Sequence, residues 1–216
     1  MEMRDLSNMS GVAQPKSTGS MDEHARAEQQ REMTGSFANP SRNVAQMGIV
    51  VGMQVADFGA GSGAYVLALA PLVGASGRIY AIEVQQDLLR KIKNTTDEQG
   101  HKNIDVIWGN FERPNGSKLA DESVDMVVLS NTLFQLDDKR GAILEASRVL
   151  RPGGQLTVID WSESFGGMGP QKIDVVTKEN AKELCESSGF TLLREFEAGA
   201  HHYGLIYRKT PKKGDL

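Results

Sequence analysis

The sequence predicts an α/β protein with a doubly wound, mostly parallel seven-stranded sheet that ends in a C-terminal antiparallel hairpin. Three observations predict this fold. Short apolar runs alternate with stretches of helical period along most of the chain. Glycines at Gly59, Gly61 and Gly63 directly follow the first apolar run. Two strand-like runs at the end of the chain are separated by only three residues, 198–200, and so short a loop permits an antiparallel pair but no parallel crossover.

The elements alternate in order from residue 53. Strands are predicted at 53–58, 77–84, 104–108, 124–130 and 155–161, and helices at 63–73, 86–98, 137–150 and 178–188. The run 124–130 is almost continuously apolar, which is typical of a strand covered by helices on both faces. The turn residues Pro152, Gly153 and Gly154 end the helix before the fifth strand. The terminal hairpin is predicted from Phe190–Glu197 and His201–Lys209.

Length and composition limit the classes of protein to consider. At 216 residues the chain has room for one sizeable domain, predicted at 37–210 between a disordered or lid-like leader at 1–36 and a flexible tail at 211–216. The net charge of −4 argues against a dedicated nucleic-acid binder, and no apolar run approaches the roughly 20 residues that cross a bilayer. The single cysteine, Cys185, falls on the apolar side of its helix, so we expect it to be buried and to bind no metal. These features, with no apolar signal-peptide core at the N-terminus, predict a cytoplasmic protein.

The glycine-rich segment after the first strand predicts a binding site for a small ligand. Glycine has no Cβ, so the backbone turns tightly here and comes close to a ligand, and the following helix directs its free N–H groups to the same place. Gly59, Gly61 and Ala64 satisfy the pattern of dinucleotide-binding proteins, and Glu83 at the end of the second strand is placed to bind ribose hydroxyls. The glycines alone therefore do not distinguish a dinucleotide from another ribose-bearing ligand.

Three further features favour a different ligand. Asp57 lies two residues before the first glycine, where a carboxylate suits a cation and disfavours a pyrophosphate. The segment Leu150–Gly154 leads into the fifth strand, and the hairpin closes the sheet. With these features, residues 40–209 resemble the class I S-adenosylmethionine-dependent methyltransferases and their Rossmann-like fold. The segment Asp125–Asn131, with Leu150–Gly154 after it, most resembles the small-molecule branch that includes quinone C-methyltransferases.

The resemblance implies S-adenosylmethionine as the cofactor and assigns residues to it. The first motif of the family, which holds the methionine part, matches Asp57, Gly59, Ala60, Gly61 and Gly63. The positions for the ribose and adenine match Glu83 and Val84, those near the adenine amine match Asn110 and Phe111, and those at the edge of the methyl-transfer site match Ser130 and Asn131. Asn110 departs from the family, which usually has Asp at this position; its amide oxygen still accepts a hydrogen bond but supplies no charge.

Methyl transfer from a sulfonium depends mainly on alignment and on exclusion of water. A general base is needed only where the acceptor must lose a proton. The candidates on the expected rim of the sheet are His201 and His202, with Asp160 behind them, and the sequence assigns the role to none of them.

Two other classes of function remain open at this stage. An NAD(P)-dependent oxidoreductase would need a proton donor such as a Tyr-x-x-x-Lys pair on a helix, and the sequence has none. A non-catalytic module would bind the cofactor without turnover. Among methyltransferases, a single cysteine disfavours the thiolate route of arsenic methylation, and the absence of an Asn-Pro-Pro-Tyr-like segment after the fourth strand weakens a nucleic-acid acceptor. We therefore expect a small-molecule acceptor, without a prediction of its identity or of the oligomeric state.

Overall fold

The helices and strands of the domain follow the predicted alternation. The structure, a computed structural model, describes residues 38–165, 167 and 169–211. The strands are β1 (Gln54–Phe58), β2 (Arg78–Glu83), β3 (Ile104–Trp108), β4 (Val124–Ser130), β5 (Leu150–Trp161), β6 (Phe190–Gly199) and β7 (His202–Lys209). The helices are α1 (Pro40–Val44), α2 (Ala64–Val73), α3 (Gln86–Glu98), α4 (Lys139–Val149) and α5 (Lys178–Glu186), with a 3₁₀ turn at Leu133–Gln135.

The seven strands form one sheet in the order β3-β2-β1-β4-β5-β7-β6. The first five strands are parallel to one another, and β7 is antiparallel to both β5 and β6. This topology confirms the predicted fold class. The chain runs outward from β1 to β3 and then returns to β4, so the order of the strands reverses between β1 and β4. Ligands of open α/β sheets bind in the crevice at such a point, at the carboxyl ends of the strands.

Two apolar layers hold the helices on the sheet. One face packs against α1, α2 and α3 through residues such as Val44, Leu69 and Ile92. The other face packs against α4 and α5 through residues that include Ile143 and Cys185. Burial of each large aliphatic side chain stabilises the folded state by about 1.5–3 kcal/mol, so the two layers hold the helices firmly on the sheet. Cys185 is fully buried, as expected from its position on the helix.

The structure differs from the sequence prediction at several ends of elements. β5 begins at Leu150 rather than at 155, because Leu150 pairs with Val124 while Gln155 pairs with Met126, and the intervening residues form an irregular stretch within the strand. The hairpin strand β6 extends to Gly199, two residues beyond the prediction. Helix α4 begins two residues later and ends one residue earlier than predicted, and α5 ends two residues earlier. These differences leave the order of the elements unchanged.

Helix α1 was not predicted, because five residues are too few to show a helical period. Its start is set locally: Asn39 Oδ1 accepts a hydrogen bond from the Arg42 N–H at 3.1 Å, and Pro40 occupies the first turn. The predicted leader at 1–36 and all of the predicted tail except Pro211 lie outside the described residues. Within the described ranges, no helix has both the length and the apolar character needed to cross a membrane.

Candidate functional site

The glycine loop between β1 and α2 has the left-handed backbone that its composition predicts. Gly59, Gly61 and Gly63 have φ angles of +80°, +53° and +86°. A Cβ on Gly59 would lie 2.8 Å from Thr132 Oγ1, and one on Gly63 would lie 3.0 Å from Ile92 Cγ1. A Cβ on Gly61 would meet only a backbone oxygen at 3.9 Å. The outer two glycines therefore permit close packing, whereas Gly61 leaves open space in front of the loop.

Glu83, at the end of β2, holds this loop in place through a hydrogen bond. Its Oε2 accepts a hydrogen bond from the Gly61 N–H at 3.0 Å, and its Oε1 accepts from the N–H groups of Val84 and Gln85 at 2.8 and 3.0 Å. The side chain is largely buried, with 6% of the residue exposed. Two carboxylate oxygens offer about four acceptor positions, so Glu83 retains capacity for a ligand hydroxyl after these three bonds.

Asp57, near the end of β1, gives the site its charge. Only 2% of the residue is exposed. Burial, and secondarily the negative charge of Glu83, raise the pKa of Asp57 to about 7. A cation placed beside Asp57 would favour its charged form, because an opposite charge lowers the pKa of a carboxyl. The pair of acidic residues therefore suits a ligand with positive charge.

A cavity of about 540 Å³ lies in front of the glycine loop. This volume is within the range of roughly 300–1,000 Å³ that small-molecule sites occupy. Ten of the eleven cofactor-binding residues proposed from the sequence contribute to its wall: Asp57, Gly59, Ala60, Gly61, Glu83, Val84, Asn110, Phe111, Ser130 and Asn131. The eleventh, Gly63, lies behind the loop against Ile92 and supports the packing of α2 instead. We call this space the cofactor cavity.

The loops after β3 and β4 form the far side of the cofactor cavity. Phe111 is buried and stacks on Phe58 with ring centroids 4.9 Å apart. Asn110 Oδ1 accepts a hydrogen bond from the Glu112 N–H at 2.9 Å, and this bond stabilises the turn of the loop after β3. Asn131 has a φ of +54°, and its Oδ1 is buried with no hydrogen-bond partner among the described residues. A buried acceptor at a strained position is an expected feature of a ligand site.

The residues assigned to the cofactor from the sequence do not account for the whole of this wall. The additional lining residues are Ala38, Pro40, Ser62, Ala64, Tyr65, Gln85, Leu88, Glu112, Thr132, Gln135 and Leu136. Ser62, Ala64 and Tyr65 belong to the glycine segment itself, so the motif could have indicated them. The residues after β4 follow an irregular turn with no periodic pattern, and α1 is too short to be read from the sequence.

The three candidate bases from the sequence lie outside the cofactor cavity. His201 Nδ1 lies 2.8 Å from Glu163 Oε1, and its ring stacks on Phe165. The ring of His202 lies against Trp161 with centroids 4.2 Å apart. Burial, and secondarily the charge of His201, lower the pKa of His202 to about 4.

Asp160 is held by backbone donors. Its Oδ2 accepts the Leu133 N–H and its Oδ1 accepts the Trp161 N–H, both at 2.8 Å. Only 1% of the residue is exposed, and burial raises its pKa to about 6 despite the hydrogen bonds. These contacts anchor the turn that follows β4, so they favour a structural role for Asp160 over a role as a general base.

Known proteins resemble this chain in sequence and in structure. A family model described as a methyltransferase domain matches residues 49–205. A ubiquinone/menaquinone biosynthesis C-methyltransferase of Hahella chejuensis is 30% identical over 129 residues, which cover 59% of this chain and 51% of that protein. An arsenite methyltransferase of Aquipseudomonas alcaligenes is 37% identical over 114 residues, which cover 50% of this chain and 33% of that protein. The chain thus spans about half the length, or less, of these curated relatives.

The fold is also that of a solved methyltransferase. The crystal structure of a SAM-dependent methyltransferase from Aquifex aeolicus aligns with a TM-score of 0.74 at 26% identity, covering 81% of this chain and 92% of that one. The match of the family model extends from just before β1 into β7 and so includes the glycine loop, Glu83, β6 and the first half of β7. The chain therefore belongs to the methyltransferase domain family, as the resemblance to class I S-adenosylmethionine-dependent methyltransferases predicted.

Proposed function

We propose that the protein is a methyltransferase that uses S-adenosylmethionine to methylate a small-molecule acceptor by direct displacement. The observation that carries the proposal is the hydrogen bond from Gly61 to Glu83, which holds an open glycine loop beside the buried carboxyl of Asp57. S-adenosylmethionine supplies an activated methyl group on a sulfonium that leaves as a neutral thioether. The protein then needs to bind, orient and shield the reactants.

The residues of the cofactor cavity fit this ligand. The remaining acceptor capacity of Glu83 suits ribose hydroxyls, and the space in front of Gly61 admits a ligand close to the backbone. Asp57 offers negative charge to a ligand that carries an ammonium and a sulfonium group. The buried Oδ1 of Asn131 offers an acceptor to a donor group of the ligand. Leu88 and Phe111 supply apolar surface for the adenine ring of the ligand.

The same contacts disfavour the oxidoreductase alternative. A dinucleotide places its pyrophosphate against the glycine loop and the start of the following helix. Here that region contains the buried carboxyl of Asp57, whose charge would repel a pyrophosphate, whereas Glu83 suits the ribose of either ligand. A cationic ligand meets no such penalty.

The acceptor is proposed to be a small organic molecule. Relatives named for ubiquinone, menaquinone and arsenite methylation act on small acceptors, as their names state. Cys185 is the single cysteine of the chain and is completely buried, so it cannot provide a thiolate site for arsenic. This favours an organic acceptor over arsenite.

Thermal unfolding with S-adenosylhomocysteine, NAD and NADP in separate samples tests the cofactor. At one hundred times the dissociation constant, a ligand of the folded state stabilises it by about 2.7 kcal/mol, which raises the Tm by several degrees. We expect a shift with S-adenosylhomocysteine alone. A shift with NAD or NADP alone would contradict the proposal. Binding of S-adenosylmethionine without methyl transfer to any organic acceptor tested would favour the non-catalytic module.

A further inference from the structure

Tyr65, the second residue of helix α2, brings a phenol to the wall of the cofactor cavity. The residue is buried, with 7% of its surface exposed. Its hydroxyl lies beside the side chain of Ser130 and interacts electrostatically with the carboxyl of Asp57. The phenol therefore belongs to the part of the cavity that carries the buried negative charge.

Helix α1 determines the direction of the hydrogen bond that this phenol forms. Asn43 Nδ2 lies 2.8 Å from Tyr65 Oη and 3.0 Å from the Ala198 carbonyl oxygen. A carbonyl oxygen can only accept, so the amide group of Asn43 must turn its nitrogen, and not its oxygen, toward Ala198. The same nitrogen donates its second proton to Tyr65. Since the phenol oxygen accepts this bond, its own proton is directed elsewhere.

The hydroxyl proton of Tyr65 meets no acceptor among the described residues. Burial raises the pKa of Tyr65, so the phenol keeps this proton at neutral pH. The neighbouring Ser130 Oγ is buried and likewise forms no hydrogen bond within the described ranges. Buried polar groups normally have partners. We therefore expect a ligand group that accepts hydrogen bonds to lie at this place.

The glycine loop itself has few donors left for such a group. The N–H groups of Gly59 and Ala60 both donate to the Ile82 carbonyl, at 2.9 and 3.1 Å, and that of Gly61 donates to Glu83 at 3.0 Å. An anionic group near the loop must therefore use the first turn of α2, where the positive end of the helix also favours it. The phenol adds a side-chain donor to that turn.

We propose that Tyr65 donates a hydrogen bond to the carboxylate of the methionine part of S-adenosylmethionine, while Asp57 binds the ammonium group on the same carbon. The proposal rests on the proposed function, because this ligand is the methyl donor of that function. A hydrogen bond to a charged acceptor is about twice as strong as one between neutral groups. Two contacts at one carbon fix the end of the ligand next to the sulfonium, and methyl transfer depends on that alignment.

A matched pair of ligands tests this inference. Calorimetry compares S-adenosylhomocysteine with its decarboxylated analogue, in which hydrogen replaces the carboxylate. The wild-type protein should prefer the carboxylate ligand by at least about tenfold. Tyr65→Phe keeps the ring and removes the donor, so it should reduce this preference by about tenfold and leave the affinity for the analogue unchanged. Tyr80→Phe, which removes a hydroxyl bonded to Gln54 outside the cavity wall, is the control and should keep the full preference.

Asn43→Asp tests the direction of the hydrogen bond with the phenol still present. A carboxyl at this position accepts from Tyr65 instead of donating to it, and so takes the proton away from the cavity. The preference for the carboxylate ligand should fall as it does in Tyr65→Phe. An undiminished preference in this variant would contradict the role of Asn43 in directing the proton.

The outcomes separate this inference from the proposed function. Equal losses of affinity for both ligands in Tyr65→Phe would assign the phenol to packing, and an undiminished preference would mean that other groups hold the carboxylate. Either result would overturn the inference. Methylthioadenosine, which lacks the whole amino-acid part, should bind equally to the wild type and to Tyr65→Phe. Failure of the wild type to bind both methylthioadenosine and S-adenosylhomocysteine would instead contradict the proposed function.

Discussion

The carboxylate of Glu83 and the backbone N–H of Gly61 are joined by a hydrogen bond of 3.0 Å across the mouth of the cofactor cavity. The bond links the end of β2 to the middle of the glycine loop, two segments that are 22 residues apart in the chain. Glu83 therefore has two tasks. It sets the position of the loop before any ligand arrives, and it keeps acceptor capacity directed at the same space.

Replacing Glu83 by Gln should weaken binding of S-adenosylhomocysteine by about tenfold to a hundredfold. An amide has one acceptor oxygen and one donor group, so at least one N–H among Gly61, Val84 and Gln85 would face a donor. Loss of a hydrogen bond to a charged group costs about 1.5–3 kcal/mol. Isothermal titration calorimetry measures the change, with the exposed Glu98→Gln at the end of α3 as a control. An unchanged Kd would mean that the ribose is held elsewhere.

Replacing Gly61 by Ala should reduce ligand affinity with only a modest loss of stability. A Cβ here meets no side chain within 4 Å, so the folded protein accommodates it, but the methyl group projects into the space that a ligand would occupy. The φ of +53° adds strain of about 1–2 kcal/mol. Gly61→Val should abolish binding, because a β-branched side chain fills more of the approach and resists this backbone angle more strongly.

Gly153→Ala provides the control for this strain. Gly153 also has a positive φ, +75°, with open space around it, and it lies at the start of β5, away from the cofactor cavity. We expect this variant to lose a similar amount of stability while binding S-adenosylhomocysteine normally. Comparable losses of affinity in the two variants would show that strain, and not access to the cavity, explains the effect at Gly61.

The affinity for S-adenosylmethionine should rise with pH and level off above pH 7. The pKa of Asp57 is about 7 in the ligand-free protein, so at pH 6 most molecules carry a neutral Asp57. A cationic ligand binds better to the charged form, and binding below pH 7 should release a proton. Calorimetry in two buffers with different ionisation enthalpies measures that proton. Asp57→Asn should bind more weakly and show a flat profile, so a persistent slope would assign the titration to another group.

Stability of the ligand-free protein should show the opposite dependence on pH. Because the folded pKa of about 7 exceeds the ordinary pKa of 3.8 for an aspartic acid, the folded state holds the Asp57 proton more tightly than the unfolded chain does. The contribution of Asp57 to stability is therefore lost as the pH rises through about 7. Asp57→Asn removes this penalty and should raise the Tm more at pH 8 than at pH 4. A smaller gain at pH 8 would contradict the assignment.

The sequence predicted the alternation of strands and helices along the chain and most of the residues that line the cofactor cavity, because both depend on local signals. Apolar runs mark the strands, and Asp57, Glu83 and the glycines lie at strand ends, which the topology brings together. The contact of helix α1 with the hairpin could not be predicted. It depends on Asn43, in a five-residue helix without a period, and on its contact with Ala198 at the far end of the chain. The hydrogen bonds of Asp160 could not be predicted from the sequence either, since their donors are backbone N–H groups at the end of β5 and in the irregular turn after β4.

Asn43 should be important for stability. Its Nδ2 donates to Tyr65 Oη at 2.8 Å and to the Ala198 carbonyl at 3.0 Å, and only 2% of the residue is exposed. Asn43→Ala leaves both acceptors without their donor in a buried place, so the free energy of unfolding should fall by about 1–3 kcal/mol. Urea denaturation measures the loss. The same substitution at the exposed Asn180 should change stability by less than about 0.5 kcal/mol. If the two variants were equally stable, the Asn43 hydrogen bonds would not hold α1 against the hairpin.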